Sequence, residues 1–305
     1  MNNLGFVYAL IAYFIWGVVP IFWRWVDHVD SIEIVAHRMV WSFVLALLLT
    51  LVLRQWRVFL PILKQRKVMG RLFIASMLIS VNWGVYIWAI NDGRIVEGSM
   101  GYYINPLLNV FVGMLVFGET LRPNQWLAIG LAAVGVAYLI FVHGEIPYVA
   151  LILAVTFSAY GAVKKSLEVP AVHGMVVETG IVLIPACVYL SYLSMNGSFA
   201  FGGDMRTDVL LILGGAVTLA PLLFFAAAAQ RISLTALGMT QYLGPSLQLI
   251  IGVFMYNEPF GSERQIAFGC IWVALLIYSV DQINNRRRRR KAADNAAGVV
   301  VKVDQ

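Results

Sequence analysis

One stretch of this chain is written twice. Tyr103 to Leu121 reads YINPLLNVFVGMLVFGETL, and Tyr242 to Phe260 reads YLGPSLQLIIGVFMYNEPF. Setting Pro106 on Pro245 brings Tyr103 onto Tyr242, Leu108 onto Leu247, Asn109 onto Gln248, Gly113 onto Gly252 and Glu119 onto Glu258. Each copy is an apolar run long enough to cross a bilayer, with a proline inside it and an acid at its end. A duplicated membrane-spanning unit dictates a fold of two related halves.

Composition agrees. Hydrophobic residues make up 60% of the chain and charged residues 12%, whereas soluble domains carry about a quarter charged. Apolar runs of about twenty residues recur at roughly 4–24, 33–53, 72–91, 97–117, 124–142, 147–164, 176–194, 208–229, 235–256 and 264–282. The fold class expected is an all-α polytopic membrane protein with ten transmembrane helices. The first run lacks the basic flank of a removable signal peptide and reads as a span. Cys187 and Cys270 both fall inside spans without metal-ligand company, so neither a disulfide framework, a metal site nor a cofactor is expected.

The net charge of +6 is topological rather than a footprint for nucleic acid. One side of the membrane collects Arg54, Arg57, Lys64, Arg66, Lys67, Arg71, Arg122, Lys164, Lys165, Arg231 and the run Arg286 to Lys291; the other collects Arg24, Arg94, Arg206 and Arg264. The basic side is cytoplasmic, which places both termini there and brings the basic segments to anionic lipid. Five spans per half turn the second copy upside down. Residues 1–143 and 144–282 then form an inverted repeat, and 283–305 a basic, disordered tail. Trp16-Gly17 is echoed by Tyr160-Gly161, and Glu33, opening the second span, by Glu178, taken to open the seventh.

Three places carry candidate chemistry. Pro106 and Pro245 each strand a carbonyl and kink a helix, with Tyr102, Tyr103 and Asn105 beside one and Gln241 and Tyr242 beside the other. They mark either a substrate site or packing kinks. Glu33, His37, Arg38 and Trp41 cluster in the second span, and Arg38 is roughly 8 Å deeper than Glu33 at the helical rise. A cation at that depth faces a cavity and binds an anionic or polar group, or it snorkels to the interface. On the first reading Glu33 and Glu178 are candidate gates or proton carriers. Asn82, Trp83 and Tyr86 share part of the third span and line a cavity, or belong to an aromatic belt with Trp23, Trp25 and Trp56. Glu119 and Glu258 read as helix caps. Ala128, Ala132 and Gly135 in the fifth span give small-residue spacing that suits a homodimer face or, more commonly, packing within one bundle. There is no GxxxxGK[ST], HExxH, CxxC or GxSxG, so no enzyme chemistry is expected.

Trp16-Gly17, Glu33 with AHRMVWS (Ala36 to Ser42), NWGVYIWA (Asn82 to Ala89), GYYINPLLNV (Gly101 to Val110), GETL (Gly118 to Leu121), QYLGPSLQ (Gln241 to Gln248) and NEP (Asn257 to Pro259) together resemble the EamA family of the drug/metabolite transporter superfamily, more specifically its RarD branch. The resemblance covers about residues 4–282 and implies a bacterial inner-membrane permease with a central cavity lined from both halves. Together these observations point to a secondary transporter of a small metabolite or drug. A passive facilitator or channel, and a membrane scaffold acting through its basic tail, are the other classes to weigh.

Overall fold

The computed structural model describes residues 3–91, 95–144, 147–256 and 261–303. Every long element among them is helical: α1 (Asn3–Trp23), α2 (Ser31–Val52), α3 (Trp56–Leu63), α4 (Arg66–Asn91), α5 (Ile95–Phe117), α6 (Pro123–His143), α7 (Tyr148–Ser166), α8 (Ala171–Met195), α9 (Met205–Ala229), α10 (Leu234–Gln241), α11 (Leu243–Met255) and α12 (Ser262–Val303). Nine of the expected spans are unbroken helices long and apolar enough to cross a membrane. The span expected at 235–256 is two helices, α10 and α11, which meet at Tyr242 three residues before Pro245. The matching Pro106 lies inside α5 without ending it.

Local chemistry sets the helix starts. Asp30 caps α2 by accepting the N–H groups of Ile32 and Glu33 at 2.9 and 3.2 Å. Asp204 caps α9 through the Thr207 N–H at 3.0 Å, and Ser233 caps α10 through the Ala236 N–H at 3.1 Å. A side-chain oxygen at this position replaces a missing intrahelical acceptor. Pro123 occupies the first turn of α6, and Gly144 closes it in the left-handed region at φ 80°. Two elements were not legible in the apolar runs. The basic loop after α2 holds the short α3, which buries Phe59 and Ile62 and exposes Val58 and Leu60. The backbone of α12 also continues helical to Val303, where an irregular tail was expected; alanine, arginine and lysine are all good helix formers.

The residues form two compact units. In the first, drawn from 1–119 and 146–259, contacts come in matched sets. Helix α1 packs on α9 as α7 packs on α4; α2 packs on α9 as α8 packs on α4; α5 packs on α7 as α11 packs on α1. Between helices in lipid there is little hydrophobic drive, so close approach rests on small residues. A Cβ at Gly215 of α9 would lie 2.4 Å from Trp41 Cβ and 2.7 Å from its carbonyl carbon; one at Gly238 of α10 would lie 2.7 Å from Pro106 O. The first contact also lets Ser42 donate to the Gly215 carbonyl at 3.0 Å.

In the second unit, drawn from 120–145 and 260–305, α6 packs on α12. Ala128 and Ala132 are fully buried, and Gly135 stands where a Cβ would come within 2.9 Å of the Ala267 carbonyl. The small-residue face is therefore occupied within the chain. Arg122 closes the pair through Asp281, its Nε donating at 2.7 Å.

Gly215→Ala is expected to force α2 off α9 and lower stability by about 1–3 kcal/mol, the usual cost of overpacking. Gly130→Ala, where a Cβ meets nothing within 4 Å, is the control. Thermal unfolding of the two variants in detergent checks this; equal midpoints would remove the close contact as a source of stability.

Candidate functional site

Within the first unit lies a cavity of about 520 Å³, lined by residues of α1, α2, α4, α5, α7, α9, α10 and α11. It reaches Arg24, Asp27 and Ser31 at the connection between α1 and α2. Its inner end meets Tyr13, Trp16, Phe157 and Leu222, part of an aromatic layer in which Phe157 packs against Phe225 at 5.3 Å and Phe225 stacks on Tyr160 at an interplanar angle of 12°.

Arg38 stands in the cavity wall. Its Nε donates to Thr218 Oγ1 at 2.8 Å, and Thr218 in turn donates to the Gly214 carbonyl at 2.7 Å. The guanidinium carbon sits over the Trp23 ring at 4.6 Å and the Trp83 ring at 5.1 Å. Stacking on indole stabilises a guanidinium at low cost in hydration. Among the described residues, its terminal nitrogens have no hydrogen-bonding partner. The side chain does not snorkel; it is held by α9 and two tryptophans.

Around it the cavity gathers most of the expected polar groups. Asn82, Tyr86, Tyr102, Asn105, Gln241 and Pro245 all line it. The rings of Tyr86 and Tyr102 meet edge to face at 6.0 Å. Asn82 Nδ2 donates to the Leu153 carbonyl at 2.8 Å and to Thr156 Oγ1 at 2.9 Å. Asn105 Nδ2 donates to the Ala154 carbonyl at 2.8 Å. Asn109, buried behind it, donates to Asn105 Oδ1 at 3.1 Å and to Gln241 Oε1 at 3.0 Å and accepts from Ser158 at 2.8 Å. This network ties α5 of the first half of the chain to α7 and α10 of the second.

Other expected residues are placed elsewhere. His37 lies off the cavity, stacked on Phe201 at 5.1 Å and Phe199 at 5.7 Å, with Nε2 3.7 Å from Glu33 Oε1. Trp41 packs on Phe201. Glu33 is buried and accepts the Ala200 N–H at 2.8 Å, which fastens the connection between α8 and α9 to α2. Tyr103 meets Tyr242 through its backbone: the Tyr242 hydroxyl donates to the Tyr103 carbonyl at 3.1 Å. That carbonyl is one residue on from the one stranded by Pro106.

Glu178 differs from its expected place. Helix α8 starts at Ala171, so Glu178 stands seven residues in, as Arg38 stands seven residues into α2. The position matching Glu33 is His173, and the one matching Glu178 is Arg38; the apolar run, counted from Val176, hid the true start. Glu178 is buried, accepts from Lys164 Nζ at 2.6 Å and from the Tyr160 hydroxyl at 3.1 Å. A void of about 20 Å³ beside it shares Trp83, Thr218 and Leu222 with the cavity wall. That is room for one water.

Glu119 is a cap, but not of the helix that follows it. Its carboxylate accepts the Leu234 and Thr235 N–H groups at 2.6 and 2.9 Å, at the start of α10. Lys165 flanks it at 3.7 Å. Glu258 lies outside the described residues.

The sequence reading missed Trp23, Thr218, Gln248 and Lys164. Trp23 had been assigned to a belt because it ends a span. Thr218 carries no signal beyond its hydroxyl, and Lys164 reads as one more cytoplasmic charge until α8 brings Glu178 beside it. Trp25 and Trp56 are exposed, as belt residues are.

Residues 3–141 match the EamA-like transporter family. The chain is 41% identical to the uncharacterized transporter YojE of Bacillus subtilis, over 92% of this chain and 94% of that protein. It is 40% identical to protein RarD of Escherichia coli, over 92% and 95% of the two, and 39% identical to protein RarD of Streptomyces exfoliatus, over 98% and 96%. A protein crystal structure superposes with a TM-score of 0.70 at 17% identity, covering 92% of this chain and 99% of its own; at that identity the likeness concerns the fold. The nine apolar helices and these relatives make the molecule a multi-pass bacterial membrane transporter of the drug/metabolite class, and the chain belongs to the EamA-like transporter family, in its RarD branch.

Proposed function

We propose that the protein moves a small metabolite or drug across the inner membrane by alternating access, with the cavity around Arg38 as the transport site. The single observation carrying this is the cavity itself: open at one end, closed at the other by an aromatic layer, and walled by helices from both halves of the chain. The matched packing of α1 on α9 and α7 on α4 supports two inverted five-helix repeats, 1–143 and 144–282, that rock about the site. The interruption between α10 and α11 at Tyr242, three residues before Pro245, kinks this span beside the cavity without unwinding it, since Tyr242 keeps helical angles.

The asymmetry of basic residues supports an orientation with both termini cytoplasmic. With both termini cytoplasmic, the α1–α2 connection is external and the cavity faces outward. Glu33 then sits toward the open end, where it holds the α8–α9 connection. Glu178 sits against the aromatic layer, held by the hydroxyl of its Tyr160 and by Lys164, and is the candidate gate or proton group of the closed end. The basic loop carrying α3 is the proposed contact with anionic lipid. A homodimer would need a face other than the small-residue stripe of α6.

A closed gate built on an ion pair exposed to solvent by only 1% and 2% has a distinct energetic signature. Lys164→Ala is expected to cost about 3–5 kcal/mol, because it leaves a buried charge unpaired. The double variant Lys164→Met, Glu178→Gln removes both charges and should recover most of that loss. Thermal unfolding in detergent reads both, and a double variant as unstable as the single would show that the pair's charge is not what matters.

Access itself can be read without a solute. In a background with Cys187→Ser and Cys270→Ser, Val35→Cys lines the cavity and Ile232→Cys is buried beyond its closed end. Each should react with an impermeant maleimide only from its own face of the membrane. Wedging Val35→Cys with a bulky maleimide should then protect Ile232→Cys. Independent labelling of the two sites would sink alternating access in favour of a facilitator.

A further inference from the structure

The cavity wall carries chemical information that alternating access does not use. Among the described lining residues three side chains are charged: Arg24, Asp27 and Arg38. Arg24 and Asp27 lie at the mouth, largely exposed and 3.8 Å apart, and offset one another. Deeper in, Arg38 is the sole charged side chain among the described lining residues.

What Arg38 can accept is set by what already surrounds it. Nε is committed to Thr218, and the guanidinium stands over two indole rings. The direction left open is the edge bearing the terminal nitrogens. That edge meets a carboxylate through two parallel hydrogen bonds. Asn82 spends both amide hydrogens on the protein, at Leu153 and Thr156, whereas Asn105 and Gln248 each spend one, on Ala154 and on the Trp16 carbonyl at 3.0 Å, and keep one to donate. Tyr86 and Tyr102 line the same wall and carry hydroxyls that can donate. Donors free to meet a solute therefore converge on negative charge. No carboxylate among the described lining residues stands inside the mouth to neutralise an ammonium group, and an ammonium stripped of water without a counter-charge is strongly disfavoured. The remaining wall is aromatic, with Trp16, Trp83 and Phe157.

We infer that the cavity takes an aromatic monocarboxylate: one carboxylate on the Arg38 edge, a ring against Trp16, Trp83 and Phe157, and no ammonium group. This rests on the cavity being the transport site, and it narrows the solute to an organic anion over an amino acid or an organic cation.

Four probes of similar size separate the cases: 3-phenylpropionate, L-phenylalanine, phenethylamine and 3-phenylpropanamide. They are titrated at neutral pH into the full-length protein in detergent, with calorimetry or the rise in unfolding temperature as the readout. The acid is expected to bind at least about tenfold tighter than each of the others. In Arg38→Gln the acid's affinity should fall to that of the amide. Comparable binding of phenylalanine or phenethylamine overturns the inference, as does equal binding of acid and amide by the unmodified protein. Absence of binding by all four at millimolar concentration overturns it too. The four-way comparison on the unmodified chain needs no variant, so a misfolded Arg38→Gln leaves the inference testable. Reciprocal cysteine labelling that persists while the acid fails to bind would remove the solute class alone; loss of reciprocity would remove the transport reading.

Discussion

Lipid offers a polar group no hydrogen bond, and the architecture of this protein follows from that constraint. Regular backbone satisfies itself by becoming helix. Where the helix breaks at Tyr242, the termini created must be satisfied by something else. The Tyr242 carbonyl accepts from the Ser246 N–H at 3.2 Å and the Ser246 hydroxyl at 2.8 Å, and the Tyr242 hydroxyl donates to a carbonyl of α5; at the far end of α10, Glu119 and Ser233 meet the N–H groups that open it. The same rule governs side chains. Asn109, Asn105, Gln241 and Ser158 satisfy one another, and in doing so they pin α5 to α7 and α10.

A second consequence is the placing of charge. Arg38 and Glu178 occupy matching positions in α2 and α8, yet they solve the cost of burial in different ways. Glu178 is neutralised by Lys164 and the Tyr160 hydroxyl in a site closed to solvent. Arg38 has a hydroxyl, two indole faces and an open cavity. One half of the chain thus holds a paired charge and the other an incompletely partnered one.

Much of this was legible in the residues. The number and extent of the apolar runs, the duplication around Pro106 and Pro245, and the depth of Arg38 gave the class and half of the cavity wall. The run at 176–194 misplaced the start of α8 because Ala171 to Met175 are only weakly apolar, so Glu178 was read as a terminal residue. His37 shares a helix with Arg38 but points to Phe199 and Phe201, because neighbouring residues on a helix diverge by about 100°.

Sequence by itself determined that the chain is an all-α membrane protein written in two related parts, because apolar length and repetition are local properties that need no partner. Tertiary structure alone decided which polar groups meet. Trp23 became a platform for Arg38, Glu119 became the cap of a helix more than a hundred residues downstream, and Lys164 became the partner of Glu178. Each of these pairings joins different elements of the chain, and the pairing is fixed by which helix faces turn toward one another, a property that no single stretch of sequence contains.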